Sequence, residues 1–186
     1  MLLAVLSGFL IAAVAPWLHR LSGRHSGWLL ALLPGALFVY FLGFVPQVSD
    51  GAAVRIAYPW VPGLDIQLSF LVDGLSLLFA LLISGIGFFI VAYAGRYLET
   101  HRDIGRFYVL ILAFMASMLG LVLADNVIAL FVFWELTSIT SYLLIGYNHE
   151  DAKARKSALQ GLFVTVGGGM ALMAGLIMLA SASGSY

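Results

Sequence analysis

A single carboxylate, Glu135, interrupts the apolar stretch Phe131-Val132-Phe133-Trp134-Glu135-Leu136-Thr137-Ser138-Ile139-Thr140. At helical spacing Ser138 (i+3) and Tyr142 (i+7) share its face and could hydrogen-bond it. Thr137, Thr140 and Ser141 place hydroxyls on the other side of the same segment. Loss of water penalises an ionised carboxylate unless a cation sits nearby, so this set suits proton or ion handling. The plainer reading is a structural glutamate that bridges helices, either neutral or paired.

Other groups offer weaker chemistry. Lys156 and Gln160 fall at i,i+4 and are expected to face the helix interior as a minor proton relay. Lys153, Arg155 and Lys156 form a basic cluster that suits topogenic signalling or anionic lipid. His19, His25, His101 and His149 fall in or beside loops, and their spacing matches no metal site. Met170, Met173 and Met178 read as adaptable packing. Gly167-Gly168-Gly169 lacks the Lys-Ser/Thr that a phosphate loop requires. Gly167, Ala171 and Gly175 instead form a small-residue stripe suited to close helix packing. No cofactor or metal is expected.

Composition names the solvent that these residues share. The chain is 62% hydrophobic and 10% charged, against about 25% charged in soluble domains. Too few polar residues are available to make a water-facing skin. A net charge of zero gives no reason to expect a nucleic-acid partner, and zero cysteines exclude disulfides and thiolate sites. The expectation is an all-α integral membrane protein, one membrane domain over residues 1–186.

Spanning a bilayer takes about 20 apolar residues. Six segments qualify, at 2–18, 27–46, 73–95, 105–124, 126–147 and 157–181. The first has no basic residues ahead of it, so a retained helix is expected in place of a signal peptide, despite Ala13-Val14-Ala15. The connection 47–72 alternates apolar and polar residues on either side of Pro59-Trp60-Val61-Pro62-Gly63, which predicts a small surface β-hairpin. Its Asp50 and Asp65, with Asp73, read as a solvated acidic surface. Eight of the nine Lys/Arg fall in loops 16–26, 96–106 and 148–156. By the positive-inside rule those loops are cytoplasmic, and both termini and the hairpin are extracytoplasmic. Glu135 then lies near the bilayer midplane, and no Lys or Arg in the chain reaches that depth.

The string Phe133-Trp134-Glu135-Leu136-Thr137-Ser138-Ile139-Thr140-Ser141-Tyr142-Leu143-Leu144-Ile145-Gly146 resembles the fifth transmembrane helix of the large A subunit of Mrp-type multisubunit sodium/proton antiporters. Those subunits are related to the antiporter-like subunits of respiratory complex I. Tyr58-Pro59-Trp60-Val61-Pro62, the run Phe70 to Ala80, Asp125-Asn126 and Thr165-Val166-Gly167-Gly168-Gly169 resemble the same subunit. The resemblance implies the start of an antiporter-like fold, in which five-helix inverted repeats begin at the fourth helix. It implies that Glu135 pairs with a lysine on a seventh helix to modulate proton transfer along a hydrated axis, in a subunit of a complex whose transported ions are protons and sodium. That lysine helix and the second repeat are not among these 186 residues. The expectation is therefore the N-terminal portion of a longer or split subunit. Its partners would be the rest of the A subunit beyond residue 186, other subunits of a hetero-oligomeric complex, and membrane lipid, in a prokaryotic cell membrane. The expected role is antiport, not enzymatic catalysis. The alternatives are a proton-translocating subunit of complex I or a membrane hydrogenase, and a structural membrane-assembly module.

Overall fold

The computed structural model describes residues 1–61, 66–98 and 103–183. The Pro62-Gly63 half of the expected turn, Asp65, His101, Arg102 and Tyr186 lie outside the described residues. The chain forms α1 (Leu2–Ser22), a 3-10 turn (Gly23–His25), α2 (Ser26–Leu42), α3 (Val45–Ser49), β1 (Val54–Val61) and β2 (Ile66–Val72). It continues with α4 (Gly74–Tyr97), α5 (Ile104–Leu123), α6 (Val127–Ile145) and α7 (Ala152–Ser183). Among the described residues six spans, one of them α2 continued into α3, are long and apolar enough to cross a membrane, matching the expected number.

Three boundaries differ from expectation. Helix α1 runs on through His19 and Arg20 to Ser22, four residues beyond 18. The second span breaks at Gly43 and resumes as α3, so residues 47–49 are helical. Pro46 opens this short turn at a position where its missing N–H costs nothing. The sixth span begins at Ala152, five residues early, because Asp151 starts it: its Oδ1 accepts from the Lys153 N–H at 2.8 Å. Lys153, Arg155 and Lys156 therefore occupy the first turns of α7, not a loop. Positive charge there opposes the helix dipole, which argues for topology over stability as their role.

Helix α5 is the hub. It packs on α1, α4 and α6, while α2 packs on α4 and α7 packs chiefly on α6. Half of the apolar window of α5 is buried, against 6% for α7. Lipid tails are as apolar as leucine, so close approach, more than hydrophobicity, selects the helix pairs. Gly27 of α2 and Gly95 of α4 touch backbone to backbone: a methyl on Gly27 would lie 2.9 Å from the Gly95 Cα. Between α5 and α6 the ring of Phe133 fills the space that a side chain on Gly120 would need. Two buried hydroxyls bond their own helix: Ser84 donates to the Ala80 carbonyl at 2.6 Å and Ser117 to Ala113 at 2.8 Å.

The hairpin exists as expected, β1 antiparallel to β2 in a register running from Val54↔Val72 to Val61↔Ile66. An irregularity falls between Pro59 and Val61, where proline cannot donate to the ladder. Two strands alone are marginal in water. Phe70 and Val72 are fully buried and tie the hairpin to the bundle. Asp73 then caps α4: its carboxylate accepts from the Ser76 N–H at 2.8 Å, and its own N–H donates to the Ser76 hydroxyl at 2.8 Å. Those bonds hold the Asp73 carboxyl below its ordinary range.

Two outcomes follow for unfolding in detergent. Asp73→Ala should cost about 1 kcal/mol, with Asn recovering most of it. Because the folded carboxyl is depressed, its contribution is complete above the ordinary carboxylate value and disappears as pH falls through the folded one. Gly120→Ala should cost about 1–3 kcal/mol by forcing the Phe133 ring aside, and adding Phe133→Leu should recover part of the loss.

Candidate functional site

The glutamate site is built by rotation of α6. Asn126 caps the helix: its Oδ1 accepts from the Ala129 N–H at 2.8 Å, and its Nδ2 donates to the Gln67 carbonyl of β2 at 2.8 Å. One residue earlier, Asp125 donates its N–H to the Ser69 carbonyl at 3.0 Å and pairs through its carboxylate with Arg55 of β1. Phe70 and Ala124 form an isolated antiparallel bridge beside them. The turn between α5 and α6 is thus stitched to both strands. Below it the rings of Phe70 and Phe133 meet at 6.4 Å between centroids, and Phe133 enters the Gly120 notch.

Phe133 therefore faces α5. Glu135, two residues and about 200° further round the helix, faces away from it. It lies eight residues after the start of α6 and ten before its end, at mid-depth of the span. There the carboxyl meets α7. A methyl on Gly169 would collide with Glu135 Oε1 and would lie 3.4 Å from Trp134 Nε1. Glu135 Oε1 and Trp134 Nε1 are both enclosed, and neither has a hydrogen-bond partner among the described residues.

Of the two hydroxyls expected to serve Glu135, that of Ser138 is engaged elsewhere, as are those of Thr137 and Thr140 on the other side of the helix. Thr137 Oγ1 and Ser138 Oγ both donate to the Trp134 carbonyl, at 2.7 and 3.2 Å, and Thr140 donates to Leu136 at 2.7 Å. In hydrocarbon a nearby carbonyl of the same helix is always within reach of a Ser or Thr hydroxyl, whereas an i+3 carboxylate requires the right rotamer. Tyr142 is half-buried, and among the described residues no hydrogen bond links it to Glu135.

Lys156 is not at this site. It is exposed, as is Gln160, so the expected inward face is corrected. Thirteen residues separate it from Gly169 along α7, about 20 Å of helix. Of the glycine triplet and stripe, Gly167 and Gly175 meet nothing within 4 Å among the described residues, and the contact with α6 is made by Gly169, which faces a polar group. Gly169 and Arg55 are the residues that sequence reasoning missed. The triplet marked the neighbourhood of Gly169, and Asp125, just before the α6 cap, was the available signal for Arg55.

The histidines divide among local roles. His19 Nδ1 and the Ser26 hydroxyl lie 2.7 Å apart, joining the end of α1 to the start of α2. His149 Nδ1 lies 3.3 Å from Arg106 Nη1, and its carbonyl accepts from Arg155 at 2.5 Å. Among the described residues no group of three His, Cys, Asp or Glu could hold a metal ion.

Asn126→Ala should remove both the cap and the strand contact. We expect a loss of about 1 kcal/mol in stability and faster hydrogen exchange at the β2 amides, with the amides of α1 unchanged.

Two family models match this chain, one described as NADH-ubiquinone oxidoreductase (complex I), chain 5 N-terminus, over residues 60–108. The other, described as NADH:quinone oxidoreductase/Mrp antiporter transmembrane region, covers residues 124–186. Over 98% of its length the chain is 44% identical to the A subunit of the Na(+)/H(+) antiporter of Alkalihalophilus pseudofirmus. Over 99% it is 40% identical to the A1 subunit of the Na(+)/H(+) antiporter of Staphylococcus aureus. It spans 23% of the length of each of these relatives. A chain in the structure of the Mrp complex from Dietzia sp. superimposes with a TM-score of 0.88 at 38% identity, over 98% of this chain and 20% of that one. A chain of the membrane-bound sulfane sulfur reductase, an archaeal respiratory membrane complex, superimposes at 0.78 with 19% identity, over 98% of this chain and 37% of that one, and so shares the fold.

Proposed function

We propose that the chain is an N-terminal portion of the large A subunit of an antiporter of the type shared by Mrp complexes and NADH:quinone oxidoreductase, which it resembles, and that it contributes Glu135 to a cation/proton antiport pathway. The observation that carries this reading is a carboxyl at mid-depth of a membrane span whose Oε1 is enclosed and unpartnered. A glutamate that only glued helices together would bond across the interface, and this oxygen faces the bare backbone of Gly169 instead.

In this reading Glu135 changes its protonation, or its pairing with a basic group, as a proton or a sodium ion passes nearby. The basic group comes from outside these residues, because the only Lys and Arg here lie at the ends of the spans and in the loops. Ser138, Thr137 and Tyr142 shape the wall of the pathway, and Lys156 belongs to its basic entrance. The work is electrostatic, and no prosthetic group is required. The membrane potential supplies about 2.3 kcal/mol per charge per 100 mV. With the basic end of the bundle cytoplasmic, the hairpin and the C-terminal end of α7 lie outside. Partner subunits and the remaining three quarters of the large subunit complete the route.

The match to complex I chain 5 favours a second reading, in which the same module serves a redox-driven pump. Iron–sulfur subunits co-purifying with the chain would establish it. For either reading, Glu135→Gln in the assembled complex should lower ion-coupled proton transport at least tenfold in membrane vesicles while the subunits still assemble. Normal transport in that variant would end the proposal for Glu135.

A further inference from the structure

Adjacent helical residues diverge by about 100°, so Trp134 and Glu135 ordinarily serve different faces. Here both polar atoms return to one place: Trp134 Nε1 and Glu135 Oε1 lie within 3.4 Å of the point where a methyl on Gly169 would sit. One is a pure donor and the other, when ionised, a pure acceptor. Both are enclosed, and in this structure neither has a hydrogen-bond partner among the described residues, the two not being bonded to each other. A buried polar group left unpaired is costly, and in hydrocarbon more so. The backbone does not relieve it. The Trp134 carbonyl already accepts from Thr137 and Ser138, and neither hydroxyl reaches the carboxyl.

From this we infer that Trp134 is a positioning residue for Glu135: its indole N–H donates to the ionised carboxylate and releases it on protonation, with Gly169 setting the gap. The inference rests on the proposed role of Glu135 and adds the group that tunes it. A hydrogen bond to the charged form favours that form, so loss of the donor is expected to show in the pH profile of transport. A protonated carboxyl is a weaker acceptor than an ionised one, so protonation loosens the bond. Gly169 is required because any side chain there would occupy the shared space.

No other charge in these residues competes at this depth. On α7 the charged groups are Lys153, Arg155 and Lys156, all in its first turns. On α5 the titratable groups are Arg106 and Tyr108, at the same end. On α6 the further titratable group is Tyr142, two turns on, and at the opposite end Asp125 is held by Arg55.

The test uses the assembled complex in vesicles. Trp134→Phe keeps the ring and removes the donor. It should shift the pH of half-maximal antiport upward by about one unit, the equivalent of a tenfold change in proton affinity, with maximal transport retained. Gly169→Ala should shift the profile as well, whereas Gly168→Ala, which meets nothing within 4 Å, should not. The emission difference between the parent protein and Trp134→Phe should titrate with pH, and Glu135→Gln should abolish that titration. If Trp134→Phe leaves the profile unmoved and the emission ignores Glu135→Gln, the inference is overturned, and Glu135 keeps its role provided that its own variant is inactive. If Glu135→Gln transports normally, the underlying proposal fails instead.

Discussion

The seating of Phe133 against Gly120 sets the rotation of α6, and the site depends on that rotation. A helix in lipid has no polar side to point outward, so only shape holds it at one angle. Here the shape is a ring in a notch, with Phe70 of the hairpin placed against it. Once the ring is seated, Glu135 has one direction to face, and α7 lies there with Gly169 at its level. The hairpin is therefore more than decoration. Through Asp125, Asn126 and Phe70 it secures the end of α6 that the notch then locks.

The hydrogen bonds of the site obey a strict economy. Thr137, Ser138 and Thr140 donate back to their own helix, which leaves none of them for the carboxyl. Glu135 Oε1 and Trp134 Nε1 are left without a hydrogen-bond partner among the described residues. A helix that serves its own carbonyls keeps its geometry whatever the state of the carboxyl, which suits the change of charge proposed for Glu135.

Helix α7 is bound lightly, with 6% of its apolar window buried against 50% for α5. It touches the rest of the chain chiefly along α6 and presents Phe163, Val164, Met170 and Met178 outward. The chain spans about a quarter of the length of its antiporter relatives.

By itself the sequence determined the solvent, the six spans, the existence of the hairpin and the depth of Glu135, because hydropathy, turn residues and charge are properties of short stretches. It also supported the family resemblance through the Trp-Glu-Leu-Thr-Ser string. Which way Glu135 faces was not legible, because in a bilayer the lipid-facing and protein-facing sides of a helix are equally apolar and no periodicity separates them. For the same reason the small-residue stripe pointed to Gly167 and Gly175, when the contact was made by Gly169. Ser138 and Thr137 shared a helix with the carboxyl yet bonded a carbonyl, since a rotamer and not a spacing decides between the two. Arg55 and Asp125, seventy residues apart, became partners only when the hairpin folded onto the α5–α6 turn. Those choices belong to tertiary structure, where shape decides between faces that chemistry leaves equivalent.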